Sequence, residues 1–297
     1  MNNFKLATIA LITSTALSFV STESIAHTKH HQVESSQLSS ILAKQPDEIK
    51  ERYQYRNPKE TIEYLGIKPG MKVAEVMPGG GWYSKILLPY LGKKGQLVGV
   101  DFAYDMWQVW IGSRENSEEF LTNRKSWANS WSERANKDWV SDGSAKADAF
   151  AFGAVPKKMH GTVDAFLWIR AIHHLGRFED KGTFRMDALK EMYKTLKPGG
   201  IVGIVQHRAP EENNDEWAVG DNGYVKQSAV IAYMKKAGFE LVGTSEINAN
   251  AKDKPTDKDN VWRLAPSYDG ADTDEKKAAI AKIGESDRMT LKFRKPV

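Results

Sequence analysis

The sequence predicts an α/β domain in which a mostly parallel sheet is covered by helices on both faces. Three observations predict it. Short, nearly continuous apolar runs alternate with segments of helical period from Lys72 to Gln206, the pattern of strands buried on both sides. The first run ends in a glycine-rich turn, Pro78-Gly79-Gly80-Gly81, that opens a helix. The second ends in Asp101, 20 residues beyond Gly81.

The first residues belong to export rather than to the fold. Lys5 gives a short basic start, Leu6 to Val20 is largely apolar and uncharged, and Ser24-Ile25-Ala26 supplies small residues where a signal peptidase reads. An apolar stretch of about 15 residues falls short of the roughly 20 that span a bilayer. Cleavage after Ala26 is therefore expected, leaving no stable membrane span. The chain has no cysteine, which fits an oxidising compartment and excludes disulfides and thiolate metal sites.

Of the 297 residues, roughly 270 remain after cleavage, enough for a core that stands without staples. His27 to about Ser40 is polar and without period, a tethering tail, and a first helix runs from about Ser36 to Tyr53. Asn57-Pro58-Lys59-Glu60 has the form of a capping box with proline at the first helical position. The helix it opens should stop at Gly66, and Lys72 to Met77 is a short strand.

Trp82 to Tyr90 is helical, and Gln96 to Asp101 and Val163 to Arg170 are strands. Met186, Leu189, Tyr193 and Leu196 recur at helical spacing before the strand Ile201 to Gln206. Glu240 to Ile247 and Arg288 to Arg294 read as strands able to close the sheet as an antiparallel pair. Two segments interrupt the rhythm: 102–147, which holds five of the nine tryptophans, and the polar excursion 248–286. The organisation read from the chain is a signal peptide over 1–26, a tail and helix over 27–53, and one domain over 54–297.

The formal charge is +4, with Lys and Arg scattered among nearly as many Asp and Glu. Nucleic-acid binders concentrate their basic residues in a stripe. The expected partner is a small molecule and not a nucleic acid.

The chemistry is carried by Glu75-Val76-Met77-Pro78-Gly79-Gly80-Gly81. A glycine turn there lets a ligand approach the backbone, and an acid at the end of the next strand, Asp101, suits ribose hydroxyls. A dinucleotide fingerprint would want glycine at position 84, where Ser84 stands. The spacing is instead similar to the first motif of S-adenosylmethionine methyltransferases, an acid followed by alternate glycines.

Arg56-Asn57-Pro58-Lys59-Glu60-Thr61, Ile67-Lys68-Pro69-Gly70-Met71, Glu75 to Tyr83, His207-Arg208-Ala209, Gly223-Tyr224-Val225, Ala237-Gly238-Phe239 and Phe293-Arg294-Lys295-Pro296 carry a wider likeness. With these marks the chain resembles a family of exported class I methyltransferases of Gram-negative bacteria. The resemblance implies a Rossmann-like class I methyltransferase fold with a seven-stranded sheet and a reversed final hairpin, a periplasmic location, and S-adenosylmethionine as cofactor. It places Glu75 and the Gly79-Gly80-Gly81 turn around the methionine part and Asp101 on the ribose. Met77 departs from the general pattern, which has glycine there.

Reacting groups should lie above the carboxyl ends of the strands. Arg170 and His173 follow the fourth strand, His207 and Arg208 the fifth. His207 suits a general base for the acceptor proton, or a histidine that only bonds the sheet end; Arg208 suits an anionic acceptor, or a surface pair with Glu211 or Glu212. His173 and His174 read as packing and capping residues. Trp82 and Tyr83 either face the sulfonium or fill the core. After cleavage, His27, His30 and His31 would stand at the mature N-terminus, as a disordered tail or a copper or zinc site; no metal is assigned to the domain. Two functions follow: a methyltransferase acting on a small or envelope-associated acceptor, or a non-catalytic module that binds another exported metabolite.

Overall fold

A computed structural model describes residues 22–112, 114–115 and 117–297. The expected signal segment up to residue 21 and the side chains of His27, His30 and His31 lie outside the described residues. Helices α1 (Thr22–Ala43), α2 (Asp47–Lys50), α3 (Tyr53–Arg56) and α4 (Pro58–Leu65) precede β1 (Lys72–Val76). Then come α5 (Ser84–Leu91), β2 (Gln96–Asp101), the three helices α6 (Tyr104–Ile111), α7 (Ser117–Lys125) and α8 (Trp127–Asp138), and β3 (Lys146–Ala151). The remainder is β4 (Val163–Ile169), α9 (His173–Arg177), α10 (Phe184–Thr195), β5 (Leu196–Ala209), β6 (Val225–Lys226), α11 (Gln227–Lys236), β7 (Glu240–Ser245), α12 (Asp274–Ala281) and β8 (Arg288–Arg294).

The strand order is β3-β2-β1-β4-β5-β8-β7, with β6 paired to β5 outside this path. β1 to β5 are parallel neighbours, and β8 runs antiparallel to both β5 and β7. This is the Rossmann-like class I methyltransferase arrangement with its reversed last hairpin. The sheet has eight strands where seven were expected, because the two-residue β6 adds to the seven of the main path. The order reverses between β1 and β4, which makes their carboxyl ends the natural ligand crevice.

The period of two along each strand sorts the core into two layers. Val73, Leu97, Ala165 and Leu167 face α1, α4, α5 and α8, where Leu38, Ile62, Leu87 and Trp131 are buried. Ala74, Val98, Phe166 and Val202 face the opposite layer, which includes Met106 of α6, Leu189 of α10 and Val230 of α11. Glu75 shares the first face, so the chain places a carboxyl group beneath α5.

Four local expectations change. Residues 22–43 form one helix rather than a tail, anchored by Leu38 and Leu42 in the core. The predicted helix to Tyr53 is broken before α2, because Pro46 lacks an amide hydrogen and disfavours helix in the residue before it. The capping box does not form: Asn57 is left-handed at φ 37°, and its side-chain amide donates to the Ile247 carbonyl at 2.7 Å. Leu196 opens β5 instead of ending a helix, since the register pairs it with Val163.

Candidate functional site

A cleft of about 530 Å³ opens over the carboxyl ends of β1, β4 and β5, within the size range of small-molecule sites. Its floor is shaped by a matched pair of kinks. Met77 after β1 and Arg170 after β4 are both left-handed, at φ 49° and 56°. Their amides donate to the Val100 and Val205 carbonyls at 2.8 and 2.7 Å. Each such residue costs about 1–2 kcal/mol, and the bonds to β2 and β5 hold them there.

The turn that follows Met77 is open in its first half and closed in its second. A methyl group built on Gly80 would meet nothing within 4 Å, and one on Gly79 only the Met77 carbonyl at 4.0 Å. The backbone of Gly79 and Gly80 is thus accessible from the cleft. At Gly81, φ 79°, the same atom would lie 2.5 Å from the Trp139 ring. Trp139 itself lies between the Lys85 ammonium, 5.5 Å from its ring centre, and the Arg134 guanidinium, 5.3 Å from it.

Neither expected cofactor acid lines the cleft. Glu75 is 3 % exposed and accepts a 2.6 Å bond from the Ser84 hydroxyl. Burial pushes its carboxyl up to about 8, against the weaker opposing effect of that bond, so it is protonated at neutral pH. Asp101 is 2 % exposed and already bonded: Phe102 N donates to one oxygen at 2.9 Å and Arg124 Nη1 to the other at 3.0 Å. Burial raises its carboxyl, and Arg124 opposes that rise. The Arg124 guanidinium stacks 4.0 Å from the centre of the Trp107 ring, so the tryptophan-rich insertion delivers a cation to the position expected to receive a ribose.

Three histidines meet at the cleft. His173 and His174 lie with ring centres 3.9 Å apart and His207 is 5.6 Å from His173. His207 Nδ1 is 2.6 Å from the Ser286 hydroxyl, and His173 Nδ1 is 3.1 Å from Gln206 Oε1. Burial drives all three down, helped by Arg170 at His173 and His207 and by His173 at His174; His173 falls to about 4 and His174 to about 2. All are neutral at physiological pH. The Trp110 ring centre lies 4.5 Å from that of His174, tilted by 44°, in keeping with a packing role for His174. No group of three or more acids and histidines suited to a metal ion occurs among the described residues.

Arg208 lies elsewhere. It does not line the cleft, and its guanidinium is held by Asp287 at 2.8 and 3.1 Å and by Glu246 at 2.9 and 2.7 Å. With a longer contact to Gln227 Oε1 at 3.4 Å, these bonds, rather than Glu211 or Glu212, engage its donors, and the two carboxylates raise its pKa.

Sequence reasoning named Arg170 but missed the arginines clustered behind it. Arg52 at the start of α3, Arg56 of α3 and Arg288 of β8 all bond Glu285, and Glu285 and Arg170 line the cleft in front of them. Arg56 also lies 4.7 Å from the centre of the Trp82 ring, which gives Trp82 a place in the wall. Trp262 and Pro266 of the polar excursion close the outer side. The apolar island from Val261 to Pro266 was the one signal that this excursion returns to the domain.

No family model matches the chain. A 50-residue segment is 44% identical to the ribosomal RNA small subunit methyltransferase H of Flavobacterium psychrophilum, and spans 17% of this chain and 17% of that protein. Among solved structures, a SAM dependent methyltransferase from Aquifex aeolicus has 15% identity over 84% of this chain and 98% of its own, at a TM-score of 0.46. The [4+2]-cyclase SpnF has 14% identity over 82% and 80%, with a TM-score of 0.46. An arsenic (III) S-adenosylmethionine methyltransferase from Chlamydomonas reinhardtii has 15% identity over 88% and 73%, with a TM-score of 0.45.

Proposed function

We propose that this chain is an S-adenosylmethionine-dependent methyltransferase that works in the periplasm on a small or envelope-associated acceptor. The observation that carries the reading is the cleft at the β1/β4 switch point, with the bare backbone of Gly79 and Gly80 on one side and His207 on the other. A ligand's amino-acid end fits against that backbone, where no side chain intervenes. The nucleoside end needs Asp101, whose second oxygen is free for a hydroxyl only when Arg124 withdraws. When bound, the cofactor supplies an electrophilic methyl group. His207 is neutral; in the tautomer whose Nδ1–H donates to Ser286 Oγ, 2.6 Å away, Nε2 is the basic atom for an acceptor proton. The basic start, uncharged apolar run and Ser24-Ile25-Ala26 site support export.

A second reading rests on the Asp101–Arg124 bond and on Met77. A carboxylate closed by its own arginine, beside a side chain at a position of backbone approach, favours a binding module for a ligand without ribose. Calorimetry of the mature protein with S-adenosylmethionine and S-adenosylhomocysteine decides between them. Binding of either, with methyl transfer to a component of a periplasmic extract that His207→Ala abolishes, is the expected result. Absence of binding by both at about millimolar concentration overturns the enzyme reading. Export is checked separately, by amino-terminal sequencing of the periplasmic fraction, where His27 should be the first residue.

A further inference from the structure

Arg170 and Glu285 line one wall of the cleft, and behind them Arg52, Arg56 and Arg288 share the same carboxylate. Both oxygens of Glu285 are engaged: Arg56 Nε lies at 3.1 and 3.3 Å from them, Arg52 Nε at 2.9 Å from the first, and Arg288 Nη1 at 2.9 Å from the second. Arg288 also donates to the Tyr55 carbonyl. Glu285 and Arg288 are each 3 % exposed or less, and Arg56 is 6 % exposed, so water does little to screen them. Burial raises the Glu285 carboxyl, but Arg288, Arg56, Arg170 and Arg52 outweigh it and bring it down to about 2.

Arg170 is the fourth cation and has no anion of its own. Among the described residues its guanidinium makes no hydrogen bond or ion pair, and its Nε is shut away from solvent without a partner. It stands on the kink that ends β4, at the switch point, and lines the cleft. Glu48, the other acid on the cleft, is solvent-exposed at its rim, and the neighbouring histidines are neutral. Four guanidinium groups therefore face one carboxylate. Arg170 is half-buried, with its Nε shut away and unpartnered, a polar group left unsatisfied at a cost, and a guanidinium presents a planar fork that matches carboxylate and phosphate oxygens.

We infer that this wall is an anion site that receives the carboxylate or phosphate group of a ligand held in the cleft, with Arg170 making the direct contact and Arg56, Arg288 and Glu285 fixing its surroundings. The inference deepens the methyltransferase reading, on which it rests only for the ligand's identity: the anion belongs either to the acceptor or to the amino-acid end of the cofactor.

The test uses the mature protein and thermal unfolding in inorganic phosphate against chloride at matched ionic strength. Phosphate should raise the wild-type midpoint by mass action. Arg170→Met should weaken the phosphate affinity about tenfold or more, the scale of a lost charge-assisted contact, and should raise the midpoint of the phosphate-free protein by removing an uncompensated charge. Arg170→Lys keeps the charge without the fork and should fall between the two; it also serves if Arg170→Met does not fold. Titration with S-adenosylhomocysteine and with 5′-methylthioadenosine, which lacks the amino-acid end, separates the sources. Weakened binding of the first alone in Arg170→Met assigns the anion to the cofactor; unchanged binding of both, with the phosphate response lost, assigns it to the acceptor. An equal phosphate response in wild type and both variants overturns the anion site, even where S-adenosylhomocysteine binds. A phosphate response lost in Arg170→Met, with no S-adenosylhomocysteine binding by wild type, leaves the site standing and sinks the methyltransferase reading instead.

Discussion

On the proposed reading the contact between Arg124 and Asp101 competes with a ribose for the carboxylate beside the cleft, and its strength follows from its setting. The two groups lie 3.0 Å apart, with the Asp101 side chain 2 % exposed and the Arg124 side chain 22 % exposed. Coulomb's law at an effective dielectric near 20 gives roughly 5 kcal/mol for that separation, before the cost of desolvation is taken off. Arg124→Met keeps the packing on Trp107 and Phe120 but leaves Asp101 with only the Phe102 amide. Removing one partner of a buried pair costs about 3–5 kcal/mol, and the partial exposure of Arg124 puts the expected loss near 3. Asp101→Asn should cost less, about 2 kcal/mol, because the amide oxygen still accepts from Phe102. The double variant should lose less than the sum of the two, with a coupling of about 2 kcal/mol. Urea unfolding at pH 7 measures all three. In parallel, Arg124→Met should bind S-adenosylhomocysteine about tenfold more tightly, equal to about 1.4 kcal/mol, because the ribose no longer competes with an arginine for the carboxylate. Coupling below about 0.5 kcal/mol, or an unchanged affinity, would refute the idea that Arg124 occupies the ribose position.

Glu75→Gln tests the buried carboxyl. A pKa raised from 4.5 to about 8 gives stability that is full below pH 4.5 and lost as pH rises through about 8, up to roughly 5 kcal/mol from that one group. The variant should gain on wild type steadily from pH 4.5 to 8 in chemical denaturation, and a difference that stays flat across that range contradicts the assignment. The histidines carry the opposite sign: His173, lowered from 6.5 to about 4, contributes stability present above pH 6.5 and lost as pH falls through about 4, roughly 3 kcal/mol in total. Ring-proton NMR should therefore show His173, His174 and His207 still neutral at pH 5, and titration of any of them near 6.5 counts against the burial argument. Gly99→Ala would put a methyl group 2.7 Å from the buried Trp131 ring; a loss of about 1–3 kcal/mol in thermal unfolding is expected from overpacking, and a neutral result would mean that α8 yields.

What the sequence made legible depended on how local the cause was. Both ends of β2 and of β8 were readable, because the first is an apolar run bounded by Gly95 and Asp101 and the second alternates Met289, Leu291 and Phe293 with polar residues. β3 was not, since Lys146-Ala-Asp-Ala-Phe-Ala has no branched residue and follows directly on the tryptophan-rich segment. The site shows the same division. Glu75, Gly79 and Asp101 could be picked out by type and spacing, but the partners that set their state could not: Ser84 is an ordinary helix residue, and Arg124 arrives from an insertion of three helices. Arg170 was readable as a strand-end residue, but its partners were not, because Arg52 and Glu285 are 233 residues apart and meet only after the reversed hairpin closes the sheet.

The carboxylate beside the cleft and the guanidinium in it meet their charges in different ways, and on the proposed reading that difference bears on the order of binding. Asp101 is neutralised from within by Arg124, so a nucleoside gains access only by exchanging one partner for another, which is close to an even trade of hydrogen bonds. Arg170 is half-buried and shares Glu285 with three other arginines, so an anion that reaches it meets a guanidinium with free donors. On the proposed reading the cofactor's sulfonium adds one more positive charge to a wall where four arginines face Glu285. An anionic acceptor already seated on Arg170 lowers that repulsion, and by reciprocity each ligand then strengthens the other. On that reading the arginine charge selects for order: the charged methyl donor is admitted most readily when an anionic acceptor is in place.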